Sequence, residues 1–547
     1  MVQRRHADKT EDFALAQNKY PHLRKYVEKV SAQKGEPDWH TELDRSMKSM
    51  EDPNLMYPVG DPIFIHVFKE AEDGTVKYNV IEPRLSEEDE EQMERVMDRM
   101  IEHAHKYDVP AKVEDAGEII KKIFNEVVKI SDHKPNKFEE ALDSKIHLTQ
   151  QEYNDIWYYV YRNRVGYGKL EPLFYDPYLE DIHCTGVGNI KTIHKIFDMV
   201  HTDIEFRNDV ELDKYILDSS ERVERPVSDA NSVVDAIMPD GSRVNFIYGR
   251  ELSLEGSSFT IRKFSEVPVS IIQIIRWGTM SAELAAYLWL AIENGMNIFV
   301  CGETASGKTT TLNAASTFIK PEDKVYSVEN TPEVTMPHKT WQHLVTRESG
   351  KETDVTIFDL LIAALRSRPN YIIVGEIRGE EGNVAFQAMQ TGHPVMSTFH
   401  AGSPHSMIQR LTGHPINVPI ASIDNLNIVL IQQAVMHNGK RLRRVLSVTE
   451  IERYYDVENK VITREVFNWD SVNDKHQFRG LFNSYILEKK IAATLGYEDT
   501  RDIYTELDRR KKILEKMIDE EIDNYFDVWD TISKFEKQGE AALPFVI

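Results

Sequence analysis

Cysteine is nearly absent from this 547-residue chain: Cys184 and Cys301 are the only two. Two thiols build neither a four-cysteine zinc site nor a disulfide framework, and a reducing compartment suits them. Long apolar runs are missing as well. The most apolar stretch, Ala285-Ala286-Tyr287-Leu288-Trp289-Leu290-Ala291-Ile292, falls far short of the roughly 20 residues of a membrane span. Met1-Val2-Gln3-Arg4-Arg5-His6 leads into polar sequence, without the apolar segment of a signal peptide. A soluble, cytoplasmic chain is expected, reaching a membrane only through a partner or a surface contact. Positive charge is in deficit: 66 basic residues against 90 acidic ones give a net charge of −24. That balance disfavours a broad nucleic-acid-binding surface and leaves at most a local basic channel. Internal repeats and long low-complexity tracts are absent. What remains is a 41% hydrophobic composition, enough for real cores, over a length that suits about two to four domains.

Residues 1–50 are charged, with amphipathic fragments such as Leu23, Tyr26, Val27 and Val30. They read as helical or partly disordered. Residues 51–140 read as a small α/β domain. Ile63–Phe68 and Val76–Ile81 are its strands, Asp73-Gly74 is the hairpin signal between them, and Ser86 caps an acidic helix. Residues 141–266 read as a second domain. It opens with the capping box Thr149-Gln150-Gln151-Glu152, and its strands are Asp181–Cys184, Ile190–His194, Val244–Tyr248 and Ser258–Phe264. From 267 to 547 strands and helices alternate, the pattern of a parallel sheet covered by helices. Leu507, Leu514, Ile518, Tyr525, Trp529 and Ile532 follow helical spacing. They predict a long C-terminal helix, broken or continuous, packing through its apolar face.

The chemistry concentrates in the third segment. Gly302-Glu303-Thr304-Ala305-Ser306-Gly307-Lys308-Thr309-Thr310 fits the P-loop pattern G-x-x-x-x-G-K-[ST] at every fixed position. A short apolar run, Asn297–Cys301, precedes it, and a helical pattern follows from Thr310. Strand, glycine loop and helix N-terminus make an anion site from converging backbone N–H groups and the helix dipole. Lys308 is expected to reach the β- and γ-phosphates of ATP, with the Thr309 hydroxyl on Mg²⁺. Downstream, Tyr371-Ile372-Ile373-Val374-Gly375-Glu376 places a carboxylate at the end of a buried strand, suited to take a proton from an attacking water. Glu329 follows the strand Val325–Val328. It suits a metal or water role, and equally the acceptance of N–H bonds in a turn. Thr391–His400 carries two histidines. His393, in Gly392-His393-Pro394, is suited to tie its own turn, whereas His400 follows a strand and is suited to sense a γ-phosphate.

Taken together, these boxes resemble the type II and type IV secretion and pilus ATPases. Gly302–Thr309 is similar to that family's Walker A motif, and Glu329–Glu333 to its Asp box. Val374–Arg378 is similar to its Walker B motif, and Thr391–His400 to its His box. Tyr57–Gly60, Tyr78–Pro83, Gly166-Tyr167-Gly168 and Arg366–Tyr371 resemble the archaeal branch. Within it the chain is most similar to archaellum (archaeal flagellum) motor ATPases, with adhesive-pilus assembly ATPases as the alternative. The resemblance implies a RecA-like ATPase domain behind a PAS-like α+β domain and a small α/β domain, assembled as a homohexamer. It implies nucleotide held between the second and third domains, so that hydrolysis moves one against the other. It makes Glu376, Glu329, His400, Arg243 and Arg262 the catalytic set, and Thr309 with Glu329 the metal set. Arg366 and Arg368 are weaker candidates, and Arg250 reads as an ordinary surface arginine. It also implies a polytopic membrane platform protein and accessory cytoplasmic motor proteins as partners, and no nucleic acid. Two positions depart from the family pattern. Asn330 replaces an acidic residue, and Gly379 stands where an aspartate is common, with Glu380 and Glu381 as possible substitutes. The rival readings are a hexameric nucleic-acid translocase and a nucleotide-gated scaffold that binds without cleaving.

Overall fold

Two apolar segments separated by Asp73-Gly74 form the hairpin at the heart of the N-terminal half, β3 (Ile63–Lys69) and β4 (Val76–Ile81). β3 is buried along nearly its whole length. On one face Phe64 packs with Leu23 and Val27 of the helix Pro21–Lys34, and on the other Ile65 and Val67 enter the main core. Coverage on both faces is why its sequence is continuously apolar and not alternating. A computed structural model describes residues 12–44, 47–48, 50–108, 113–131, 145–264, 267–347, 353–437 and 439–547. The chain divides into two compact units, residues 1–265 and 266–547.

In the first unit a ten-stranded sheet runs β1-β2-β3-β4-β9-β8-β7-β12-β11-β10. The flanking strands are β1 (Asp38–Trp39) and β2 (Asn54–Gly60). Beyond β4 lie β7 (Leu179–Cys184), β8 (Gly188–His194), β9 (Asp198–Phe206), β10 (Val233–Ile237), β11 (Arg243–Ile247) and β12 (Ser258–Arg262). β4 joins β9 in parallel through Lys77↔His201 and Tyr78↔Thr202, so the sheet spans both segments expected as separate domains. The boundary expected near residue 140 lies outside the described residues. Asp176, wholly buried, ties the two parts of the sheet together. Its Oδ2 accepts the hydroxyls of Tyr57 (2.7 Å) and Tyr78 (2.6 Å), and its Oδ1 the Tyr178 amide (2.7 Å). Three helices, Glu87–Ala104, Val113–Val127 and Gln150–Arg164, pack with the short parallel pair β5 (Val128–Ile130) and β6 (Ile146–Leu148) around their own core of Val96, Phe124, Ile156 and Val160. Ser86 and Thr149 both form capping boxes, with Asp89 and Glu152.

The second unit holds a nine-stranded sheet, β15-β14-β16-β17-β13-β18-β19-β20-β21. Its parallel part is β13 (Ile298–Gly302), β14 (Val325–Glu329), β15 (Trp341–Val345), β16 (Tyr371–Ile377), β17 (Val395–Phe399) and β18 (Ile428–His437). The strands β19 (Lys440–Tyr455), β20 (Lys460–Asp470) and β21 (Lys475–Phe478) extend it in antiparallel fashion. The apolar run 285–292 lies in the helix Ala282–Glu293, buried on every side as its all-round hydrophobicity requires. No helix among the described residues is long and apolar enough to cross a membrane. The C-terminal helical pattern resolves into two helices, Ile503–Asp519 and Tyr525–Gln538. The chain breaks between them at Glu521, whose φ is 57°. Leu507, Leu514, Val528 and Ile532 enter the same core as the 282–293 helix.

A buried ionic knot fastens this packing. The Arg510 guanidinium bonds Glu293 through Nη2 (2.7 Å) and Nε (3.1 Å) and Glu506 through Nη1 (2.8 Å), while Trp289 Nε1 donates to Glu536 (2.9 Å). Burial pushes the Glu293 carboxyl up to about 8, opposed by the Arg510 charge and assisted by Glu536. A carboxyl with a raised folded-state pKa holds a proton that the unfolded chain has released. Its contribution is fully present below the unfolded carboxyl value of ~4.3 and is lost as pH rises toward 8. Glu293→Gln should therefore show a flatter fall of the urea midpoint between pH 5.5 and pH 8 than the unsubstituted protein. Equal slopes would mean that Glu293 does not titrate in this range.

Candidate nucleotide-binding site

Parallel pairing decides which residues meet. The β13–β17 register aligns Cys301 with Phe399, and the β16–β17 register aligns Glu376 with Thr398. Consequently Gly302, Glu329, Glu376 and His400 all lie at the carboxyl ends of β13, β14, β16 and β17, on one edge of the sheet. Open parallel sheets bind ligands at this edge. His393 precedes β17 and lies at the opposite edge, where Thr391 Oγ1 and His393 Nδ1 are 3.2 Å apart within their own turn. Arg366 and Arg368 precede β16 and are also at that far edge.

The P-loop runs from β13 into the helix Lys308–Ser316, as expected from its flanks. Gly307 caps that helix in the left-handed region, at φ 90°. Ala305 is left-handed too, at φ 61°, a conformation that costs a non-glycine residue about 1–3 kcal/mol. Ser306 is buried, and its hydroxyl donates to the Glu303 carbonyl (2.8 Å). Lys308 Nζ donates to the same carbonyl (3.1 Å). Burial lowers the Lys308 pKa, and the carboxylates of Glu376 and Glu333 oppose that shift. The lysine thus lies within electrostatic reach of both acidic boxes, which follow β14 and β16.

Glu329 is 2% exposed, and both of its oxygens are engaged. Oε1 accepts the amides of Glu333 and Val334, each at 3.0 Å, and Oε2 is 2.7 Å from His343 Nε2. Of the two roles open to Glu329, this geometry is the turn-anchoring one. The turn it holds carries Glu333, half-buried near Lys308. Asn330 therefore removes a charge from a loop whose shape Glu329 already fixes. Glu376 pairs with Arg378, whose Nε lies 2.6 Å from Oε2. The β16–β17 register slips between Val374 and Glu376, and the Gly375 carbonyl accepts Thr398 Oγ1 (2.6 Å). Of the two glutamates after Gly379, it is Glu381 that folds back. Its Oε1 accepts the amides of Arg378 (2.6 Å) and Gly379 (2.7 Å). A Cβ at position 379 would stand 3.0 Å from the Glu381 carboxylate, so glycine here accompanies the alternative cap. His400 is exposed, and its carbonyl accepts Arg410 Nη1.

Arg243 and Arg262 lie in the first unit, directly opposite each other on β11 and β12, with Asp181 of β7 next in register. Like charges opposed across a ladder are destabilising unless an anion compensates, and Asp181 Oδ1 lies 3.2 Å from Arg262 Nε. Arg250 pairs with Asp209 at 2.7 Å, as an ordinary surface arginine would. Among the described residues, no group of three or more His, Cys, Asp or Glu side chains is arranged to hold a metal. Gln432, Arg443 and His343 lie outside every box read from the sequence, and Arg378 closes the Walker B-like box without a role of its own. The signal for Gln432 was present as the first polar residue after the apolar run Ile428–Ile431, and His343 had no local signal.

Glu329→Ala should strip three donors of their acceptor. At about 1–3 kcal/mol for each buried group left unsatisfied, the urea midpoint without nucleotide should fall clearly. An unchanged midpoint would return Glu329 to a purely ligand-facing role.

Comparison with known proteins places this arrangement. Residues 165–480 match the family described as type II/IV secretion system protein. An uncharacterized protein of Methanocaldococcus jannaschii is 52% identical over 540 residues, covering 97% of this chain and 98% of that one. The type IV secretion system protein PtlH of Bordetella pertussis is 39% identical over 130 residues, covering 23% of this chain and 38% of its own. The crystal structure of the Legionella pneumophila ATPase DotB aligns with a TM-score of 0.38 at 17% identity, over 75% of this chain and 96% of that one. With more than half its length matched, the chain belongs to the type II/IV secretion system protein family.

Proposed function

We propose that this chain is a Mg²⁺-dependent ATPase that works as a homohexameric motor, powering the assembly or rotation of an archaeal type IV pilus-like filament, the archaellum. The observation that carries the reading is that Gly302–Thr310, Glu333, Glu376 and His400 all follow the carboxyl ends of parallel strands on one sheet edge, with Glu333 and Glu376 acting on Lys308. In the proposed reaction the amides of Gly302–Thr310 and Lys308 hold the phosphates, and Thr309 supplies the protein's ligand to Mg²⁺. Glu376 accepts a proton as a water oxygen bonds to the γ-phosphorus. The bridging P–O bond breaks with its electron pair leaving on ADP, and phosphate is released. His400 donates a hydrogen bond to the γ-phosphate, and Glu329 shapes the loop beside it. Arg243 and Arg262 supply positive charge to the transition state. The mechanical output passes to a polytopic membrane platform protein and accessory cytoplasmic motor proteins at the cytoplasmic face of the membrane. The M. jannaschii relative, matched end to end, supports an archaeal setting. An adhesive-pilus or secretion assembly ATPase has the same site and differs only in the platform it drives.

The test is steady-state ATPase activity against protein concentration, with mass photometry on the same samples. Activity should rise with the hexamer population. Glu376→Gln should keep nucleotide binding and lose about 10²–10⁴-fold in turnover. Arg262→Ala should lose about 10³-fold with little change in binding. Full activity in a monomer would defeat the ring reading, and near-normal turnover in Glu376→Gln would remove Glu376 as the base. Stimulation by single-stranded DNA would favour the translocase instead.

A further inference from the structure

The P-loop is not held by its own sequence alone. Gln432, 1% exposed in the middle of β18, lies against it from the side away from β17. Its side-chain amide is used at both ends. Nε2 donates to the Ser306 carbonyl (2.8 Å), and Oε1 accepts the Thr311 hydroxyl (2.7 Å), itself buried one turn into the following helix. Its backbone stands opposite Gly302 in the β13–β18 register. A Cβ on Gly302 would come within 2.1 Å of the Gln432 carbonyl oxygen, and a Cβ on Gly307 within 2.9 Å of Gln432 Nε2. The Gln432 backbone thus holds position 302 to glycine, and its side-chain amide lies against position 307, where φ 90° already favours glycine. From the next strand Arg443 Nε reaches the carbonyl of Ala305 (3.3 Å), the residue at φ 61°.

We infer that Gln432 is a positioning residue for nucleotide binding. It clamps the Ser306 carbonyl to the first turns of the phosphate-binding helix, so that the loop amides point at the phosphates before the ligand arrives. The inference rests on the nucleotide reading above. The physical reason is preorganisation. A loop with a left-handed alanine and a left-handed glycine has other low-energy conformations, and turning the Ser306 carbonyl toward the phosphates would place an acceptor against an anion. An amide side chain is the group that suits this position, because it must donate to a carbonyl and accept from a hydroxyl at once. A glutamate of the same size can do only the second when ionised.

The experiment uses the full-length protein with fluorescent ADP and ATP and Mg²⁺, together with ATPase kinetics and urea unfolding without nucleotide. Gln432→Glu should weaken ATP binding by at least about tenfold, as expected for one lost bond and one unsatisfied buried carbonyl. The KM should rise more than kcat falls. Thr311→Val should weaken binding less, and Thr311→Ser, which keeps the hydroxyl, should restore it. Should Gln432→Glu fail to fold, the Thr311 pair carries the test. Equal ATP affinity and KM in Gln432→Glu, or equal affinities in Thr311→Val and Thr311→Ser, would overturn the inference. So would affinity losses that merely track the urea midpoints. Absence of nucleotide binding in the unsubstituted protein would instead overturn the nucleotide reading itself.

Discussion

Six parallel strands, β15-β14-β16-β17-β13-β18, run the same way, and everything proposed for the second unit depends on that direction. Parallel pairing brings residues far apart in sequence side by side, Gly302 with Gln432 among them, and sends the connecting helices to the faces. The register then selects among them. Because Cys301 aligns with Phe399, His400 reaches the P-loop edge and His393 does not. A single antiparallel pairing in this part of the sheet would have separated the acidic boxes from the phosphate loop. The antiparallel strands β19 to β21 begin only after β18, where they brace the loop laterally instead of contributing another box.

Buried carboxyl groups serve as organisers throughout the chain. Asp176 joins the two parts of the N-terminal sheet through two tyrosine hydroxyls. Glu329 shapes the loop carrying Glu333, and Glu381 caps the turn after Glu376. Glu450, wholly buried, accepts the Tyr287 hydroxyl (2.8 Å) and the Tyr485 amide (2.7 Å), where it starts the π-helix Ile486–Ala492. Glu293 meets Arg510 beneath the C-terminal helices. Asp176, Glu329 and Glu381 each accept donors that would otherwise be unsatisfied at a bend or strand end, through charge-assisted bonds of roughly twice the strength of neutral ones.

Local patterns made much of this fold legible. The Ser86 and Thr149 capping boxes, the hairpin at Asp73-Gly74 and the apolar strands before the P-loop, Glu329 and Glu376 stand where the residues place them, because each is a short-range rule. The strands β9, β10 and β18 to β21 were not legible. Several carry polar residues on a half-exposed face, and their pairing depends on partners far along the chain. The broken C-terminal helix shows the same limit, since nothing in the periodicity marks Glu521 as its left-handed stop.

For the candidate site, the sequence by itself determined the chemistry. The glycine loop, Lys308, Thr309 and the strand-end Glu376 are a local pattern whose backbone requirements admit few other residues. Tertiary structure decided how that chemistry is held. It turned Glu329 toward the amides of Glu333 and Val334, sent His393 to the far edge, and set Gln432 against the two glycines. Those outcomes follow from strand order and register, which long-range packing fixes and no local residue pattern encodes.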